Sequence, residues 1–167
     1  MSNGLDTLGR IRLIAFDIDG VFTDGRFYLS DEGVETKAFH TQDGYGVRRL
    51  LDAGVAVGVI SGRHSPAVEK RMAELGVPHV ILGCKDKVAA MDELAASLGL
   101  TASDCAFVGD DLPDLPLLKH VGFSVAVANA VPELQAYCDY VTTRPGGFGA
   151  IREICDLLIA ARTSDHG

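Results

Sequence analysis

Acidic residues recur where this chain would need them for chemistry. Asp17 and Asp19 sit in Asp17-Ile18-Asp19-Gly20, directly after the strand candidate Arg12–Phe16. Ser61-Gly62-Arg63 follows Val55–Ile60, and Lys85-Asp86-Lys87 follows His79–Leu82. Asp110 and Asp111 come after Cys105–Val108, and then Asp114. Carboxylates grouped in one cleft repel one another, which calls for raised pKa values or a bound cation. Hard carboxylate oxygens with no His or Cys among them select magnesium over zinc. A magnesium ion together with the Lys87 ammonium would neutralise both a phosphate dianion and a nucleophilic carboxylate, so that the two can meet. Each residue also has a plainer use. The Asp pair can cap a helix, Ser61 can do the same, Lys87 and Asp111 can be solvated charges, and Arg63 can bond a helix end. His40 and His64 read as bystanders or substrate contacts, since phosphoryl displacement by a carboxylate needs no imidazole.

The elements that must bring these residues together alternate regularly. Further strands are expected at Phe123–Val127 and Tyr140–Thr142. Val55–Ile60 is apolar throughout, as a strand buried on both faces should be. Helical patterns fall at Tyr45–Ala53, Ser65–Leu75, Lys85–Leu98, Leu112–Lys119, Pro132–Tyr137 and Ala150–Ala161, with left-handed caps expected at Gly76 and Gly99. Alternating strands and helices imply parallel pairing, hence an α/β fold with a doubly wound, Rossmann-like parallel sheet. Ligands of such sheets bind beyond the carboxyl ends of the strands. Four consecutive strand ends therefore deliver carboxylates, a hydroxyl and an ammonium to one edge. One stretch breaks the alternation: Gly25–His40 has two β-prone runs around the turn-rich Ser30–Gly33, which reads as an inserted β-hairpin. A lone two-stranded hairpin is marginal in water, so it should pack on its own domain or on another subunit.

The bulk properties bound the partners. With 167 residues, 47% of them hydrophobic and 23% charged, the chain reads as one globular domain spanning 1–167, ordered except at its ends, with Thr163–Gly167 frayed. The net charge of -8 leaves no basic field for nucleic acid or an acidic membrane surface. The four cysteines lack zinc or C-x-x-C spacing and read as reduced thiols. The opening MSNGLDTLGR has no apolar signal core and no apolar run is long enough for a membrane helix, so the expectation is a soluble, cytoplasmic protein.

Asp17-Ile18-Asp19-Gly20-Val21 with Thr23, Ser61, Lys87 and Gly109-Asp110-Asp111-Leu112-Pro113-Asp114 resemble, in order, the four motifs of the haloacid dehalogenase-like phosphatases. The resemblance implies that Asp17 is the nucleophile and forms an aspartyl-phosphate, while Asp19 is the acid and then the base. It implies that magnesium is held by the carboxylates of Asp17 and Asp110 and the backbone carbonyl of Asp19. Asp111 or Asp114 would support the metal through water or orient Lys87, and Ser61 and Lys87 would bind phosphoryl oxygens. Family members with a cap domain insert it between the first and second or the third and fourth motifs; neither gap has room here.

Asp17–Gly25, Asp43-Gly44-Tyr45-Gly46, Ile60-Ser61-Gly62-Arg63, Gly109–Pro116 and Gly146–Leu158 resemble more closely the 3-deoxy-D-manno-octulosonate 8-phosphate phosphatases, over about Arg12–Ala161. That likeness implies a small phosphorylated sugar-acid substrate, a role in lipopolysaccharide biosynthesis, and a homotetramer built through the Gly25–His40 hairpins. It also implies that the glycine-rich stretch folds over a neighbour's site, and that Gly62, Arg63 and Arg71 contact substrate. An arginine suits a carboxylate because its planar fork binds both oxygens. Phe148 stands where relatives often carry a basic residue, with Arg144 or Arg152 as substitutes. Relatives acting on 9-phospho nonulosonic acids tend to carry an acidic residue in place of Arg63, so the arginine favours the eight-carbon acid. A non-catalytic oligomerisation domain with a vestigial site is the alternative of another class.

Overall fold

The computed structural model describes residues 4–164. Its strands are β1 (Leu13–Phe16), β2 (Tyr28–Leu29), β3 (Glu35–Thr36), β4 (Ala56–Ile60), β5 (His79–Ile81), β6 (Cys105–Gly109), β7 (Phe123–Ala126) and β8 (Tyr140–Val141). The helices are α1 (Gly4–Gly9), α2 (Thr41–Asp52), α3 (Pro66–Leu75), α4 (Lys87–Ser97), α5 (Leu115–Leu118), α6 (Pro132–Tyr137) and α7 (Ala150–Ser164). Six strands form one parallel sheet in the order β5-β4-β1-β6-β7-β8. Every residue of β1, β6 and β7 is buried, the signature of central strands covered on both faces. α2 packs on α7 and α7 on α1, while α4 packs on α5. The doubly wound α/β architecture read from the alternation is the architecture observed.

Register fixes the site. The chain builds outward from β1 to β4 and β5, then returns to β6 on the other side of β1. The order therefore reverses at β1, where a crevice opens at the strand ends. Phe16 lies opposite both Val59 of β4 and Val108 of β6. Asp17, Ser61 and Asp110 consequently emerge side by side at the carboxyl edge, and the Asp17 N–H is held by the Val108 carbonyl at 3.0 Å.

Several elements differ from the sequence expectations. α2 starts at Thr41, ahead of Tyr45, because the His40 ring accepts from Gln42 N at 3.1 Å and caps it. Gly44 and Gly46 hid that first turn, since glycine is a poor helix former. The single helix expected over Leu112–Lys119 is instead a 3-10 turn, Leu112–Asp114, followed by the short α5. Pro113 and Pro116 lack the N–H groups a continuous helix would use. α1 had no strong pattern; it buries Leu8 and packs on α7. Thr163 and Ser164 form the last residues of α7, and both hydroxyls bond the Ala160 carbonyl, at 2.9 and 3.1 Å. The rest of the stretch expected to fray, 165–167, lies outside the described residues. Gly76 and Gly99 end their helices with φ of 73° and 70°.

The hairpin is a separate two-stranded sheet, with Tyr28 opposite Thr36 and Leu29 opposite Glu35. Strand alternation puts Phe27, Glu35 and Lys37 on one face. Tyr28, Leu29 and Val34 are 71%, 63% and 63% exposed, apolar side chains that none of the described residues covers. The start of the glycine-rich stretch packs closely against its own chain. A Cβ on Gly146 would lie 1.8 Å from the Gly20 carbonyl oxygen, and one on Gly147 would lie 2.4 Å from Asp24 N. Gly146 N donates to Asn129 Oδ1 at 2.7 Å and Gly147 N to the Val21 carbonyl at 3.2 Å. This segment braces the loop after β1 by backbone contact that no side chain permits. Gly146→Ala should therefore destabilise the protein by about 2 kcal/mol, read as a lowered midpoint in denaturant titration.

Candidate active site

A cleft of about 640 Å³ opens at the carboxyl edge, lined by Asp17, Asp19, Ser61, Gly62, Arg63, Lys87, Asp110, Asp111 and Asp114 among others. Asp17, Asp110 and Asp114 each offer a carboxylate oxygen, and the three oxygens lie within 4.8 Å of one another. Asp17 is fixed by the strand end and by the Ile18 N–H, which donates to its Oδ1 at 2.8 Å. Asp114 is 1% exposed; its Oδ2 accepts from Asp110 N at 3.0 Å and its Oδ1 from Lys87 Nζ at 2.7 Å. Lys87 Nζ also lies 3.3 Å from Asp17 Oδ1. The plain reading of Lys87 as a solvated residue does not hold, since its side chain is 10% exposed.

The loop that turns away from β1 is shaped for this cluster. Gly20 has φ +85°, and a Cβ there would fall 1.9 Å from Asp110 Oδ2. Thr23 Oγ1 accepts from Gly20 N at 3.3 Å and Gly25 N at 3.1 Å, closing the turn. Ser61 is 2% exposed, and its Oγ accepts from Arg63 N at 3.4 Å. It does not cap α3, whose N-cap is Ser65. Asp111 caps the 3-10 turn, its Oδ1 accepting from Leu112 N at 2.7 Å.

Charge in this cleft is out of balance. Burial, then the Asp114 charge, pushes the Asp17 carboxyl up to about 7, against the pull of Lys87. Burial, then the charges of Asp17, Asp114 and Asp111, pushes Asp110 up to about 8. Burial pulls the Lys87 ammonium down, but Asp17 and Asp114 more than offset it and hold it above its usual range. Crowded hard oxygens whose ionisation is this disfavoured fit a divalent cation that binds oxygen. The Asp19 side chain stands outside the cluster of Asp17, Asp110 and Asp114.

Three residues at the site were not singled out from the sequence. Lys37 bonds Asp19 Oδ1 and lies 3.0 Å from Glu35 Oε1. Glu35 accepts from Arg63 Nη2 at 2.8 Å, and the Arg63 guanidinium stacks 4.1 Å from the centre of the Phe27 ring. Arg63 therefore bonds the hairpin rather than a helix end. The only signal was the Glu-x-Lys spacing from Glu35 of β3 to Lys37 just beyond it, which puts both charges on one face. Arg71, grouped with Arg63 as a substrate contact, lies away from this cleft. It pairs with Glu74 at 3.4 Å and its Nη2 fills the space above Gly44 of α2. His64 pairs with Glu69 at 2.9 Å on the surface.

A parallel sheet whose switch point gathers aspartates, a serine and a lysine defines a class of hydrolase. Residues 79–145 match the model of that class, haloacid dehalogenase-like hydrolase. The 3-deoxy-D-manno-octulosonate 8-phosphate phosphatase of Escherichia coli (strain K12) is 46% identical over 152 residues, covering 91% of this chain and 81% of that protein. The enzyme of the same name from Yersinia pestis has a crystal structure that superposes with a TM-score of 0.95 at 42% identity, covering 99% of this chain and 90% of that one. A structure of the Moraxella catarrhalis enzyme with magnesium, phosphate and KDO superposes with a TM-score of 0.94 at 41% identity, over 98% and 94% of the chains. The chain belongs to the haloacid dehalogenase-like phosphatases, among the relatives named for 3-deoxy-D-manno-octulosonate 8-phosphate.

Proposed function

We infer that this chain is a magnesium-dependent phosphoric monoester hydrolase that converts 3-deoxy-D-manno-octulosonate 8-phosphate to the free sugar acid and phosphate, a step of lipopolysaccharide biosynthesis. The observation that carries the reading is the meeting of Asp17 and Asp110 beside Lys87 at the switch point, in a chain 46% identical to a phosphatase of that name. Asp17 attacks phosphorus and forms an aspartyl-phosphate as the P–O bond to the sugar breaks. Asp19 gives its proton to the leaving oxygen, then takes one from the water that cleaves the acyl phosphate. Ser61 and Lys87 hold the equatorial phosphoryl oxygens, where charge spreads in the transition state. The carboxylates of Asp17 and Asp110 and the Asp19 carbonyl would hold magnesium, with Asp114 orienting Lys87 and Asp111 shaping the rim. When bound, the ion supplies charge neutralisation for the phosphate and the carboxylates. Arg63, beside Gly62, lines the cleft bonded to Glu35, and the carboxylate of a sugar acid would take up its fork in exchange for that bond.

All of this chemistry lies in one catalytic domain spanning 1–167. Its exposed Tyr28, Leu29 and Val34 support assembly through the hairpins, as a homotetramer. Light scattering should give the mass of four chains, and Tyr28→Asp should shift it toward a smaller species; a wild-type monomer refutes the assembly. No described helix is long and apolar enough to cross a membrane. We place the enzyme in the cytoplasm, where its free thiols are stable. The test of function is a panel of sugar phosphates with magnesium. The octulosonate 8-phosphate should be hydrolysed with the highest kcat/KM. Equal rates on generic phosphates would refute the substrate, and preference for a 9-phospho nonulosonic acid would reassign it.

A further inference from the structure

The hairpin brings to the cleft a buried cation that the mechanism above does not use. The Lys37 side chain is 1% exposed, far below what lysine ordinarily accepts. It is enclosed by Asp19 and Glu35, and the Phe27 ring lies 5.6 Å from its ammonium. Glu35 in turn bonds Arg63, whose Nη1 comes to 4.0 Å of Asp19 Oδ2. Among the described residues, the hydrogen bond onto the Asp19 carboxylate is the one from Lys37. A proton donor must be aimed within hydrogen-bond reach of the oxygen it serves. Asp19 sits on a loop, and among the described residues no backbone N–H bonds its carboxylate, unlike Asp17 and Asp114.

We propose that Lys37 is a positioning residue: it fixes Asp19 through Oδ1, so that Oδ2 carries the proton to the leaving oxygen, while Glu35 and Phe27 hold Lys37 in place. The inference rests on the phosphatase reading. In the step concerned, the Asp17–phosphorus bond forms, the phosphorus–oxygen bond to the sugar breaks, and the proton moves from Asp19 to that oxygen. A sugar alkoxide needs the proton, whereas p-nitrophenolate leaves without it.

The two leaving groups provide the test. For Lys37→Met, kcat/KM on the sugar phosphate, which reports the steps up to departure of the sugar and not the later cleavage of the acyl phosphate, should fall about 100-fold, while kcat/KM on p-nitrophenyl phosphate falls about 3-fold. Lys37→Arg should recover most of the loss. Added to Asp19→Asn, Lys37→Met should lower kcat/KM on the sugar phosphate no further. Thermal unfolding establishes that each variant is folded. If Lys37→Met is not, Glu35→Gln replaces it, with a selective loss of about 10-fold on the sugar phosphate expected. Equal losses on both substrates, or a further loss in the Asp19→Asn background, would overturn the positioning role alone. A wild-type chain that hydrolyses neither substrate would overturn the phosphatase reading and this inference with it.

Discussion

Asp17→Asn should abolish turnover, lowering kcat by about 10⁴-fold or more, and should make the metal-free protein more stable rather than less. An amide has the shape of the carboxylate but cannot attack phosphorus. The stability effect has a different origin. Asp17 titrates near 7 in the fold, against 3.8 for the ordinary carboxyl, because burial and Asp114 disfavour its charge. A raised folded pKa means that the folded state binds more protons than the unfolded one between those values, so the charged carboxyl destabilises the fold as pH rises through that window. Asn carries no charge and removes the destabilisation. Thermal unfolding in chelator at pH 7 to 8 should show a higher midpoint for the variant, with the difference shrinking toward pH 4. An active variant, or one destabilised at pH 8, contradicts the assigned role of Asp17.

Lys87→Met works in the opposite direction. Lys87 Nζ lies 2.7 Å from Asp114 and 3.3 Å from Asp17, and its side chain is 10% exposed. Removing it leaves buried carboxylates facing one another with no protein cation between them, which costs about 3–5 kcal/mol for a buried pair. It also removes a donor to the phosphoryl oxygens, for a loss of about 10²–10³ in kcat. Methionine fills similar volume, so packing alone does not account for the change. Magnesium should restore part of the lost stability, since a ligand that binds only the folded state stabilises it by mass action. Chemical denaturation with and without magnesium reads both effects. Unchanged stability in chelator would mean that Lys87 does not neutralise the cluster.

The core of the site was legible because central parallel strands leave a simple trace. Each is a short apolar run, and the residues just past it must emerge at one edge. Asp17, Ser61, Lys87 and Asp110 were found in this way, since β1, β4, β5 and β6 are neighbours in the sheet. What lay across the sequence in non-periodic segments was hidden. Lys37 meets Asp19 only because the hairpin folds back over the strand ends, and the spacing of β3 does not reveal that direction. Arg71 resembled a second substrate arginine, but the turn of α3 points it at Gly44 of α2. The resemblance gave Gly146 and Gly147 only a place in a stretch that folds over a neighbouring site, and no local pattern revealed the close approach of their backbone to Gly20 and Asp24. Helix boundaries slipped where prolines or glycines serve tertiary needs, as at Pro113, Pro116 and Gly44.

Chemical trapping of the phosphorylated enzyme goes most directly to the reaction assigned to Asp17. Protein mixed with magnesium and the octulosonate 8-phosphate is quenched in acid within a turnover, reduced with borohydride, and digested for mass spectrometry. Reduction of an acyl phosphate converts that aspartate to homoserine. Homoserine at position 17, dependent on magnesium and absent from Asp17→Asn, is the result expected; modification at another aspartate, or phosphate release with residue 17 untouched, would contradict the account.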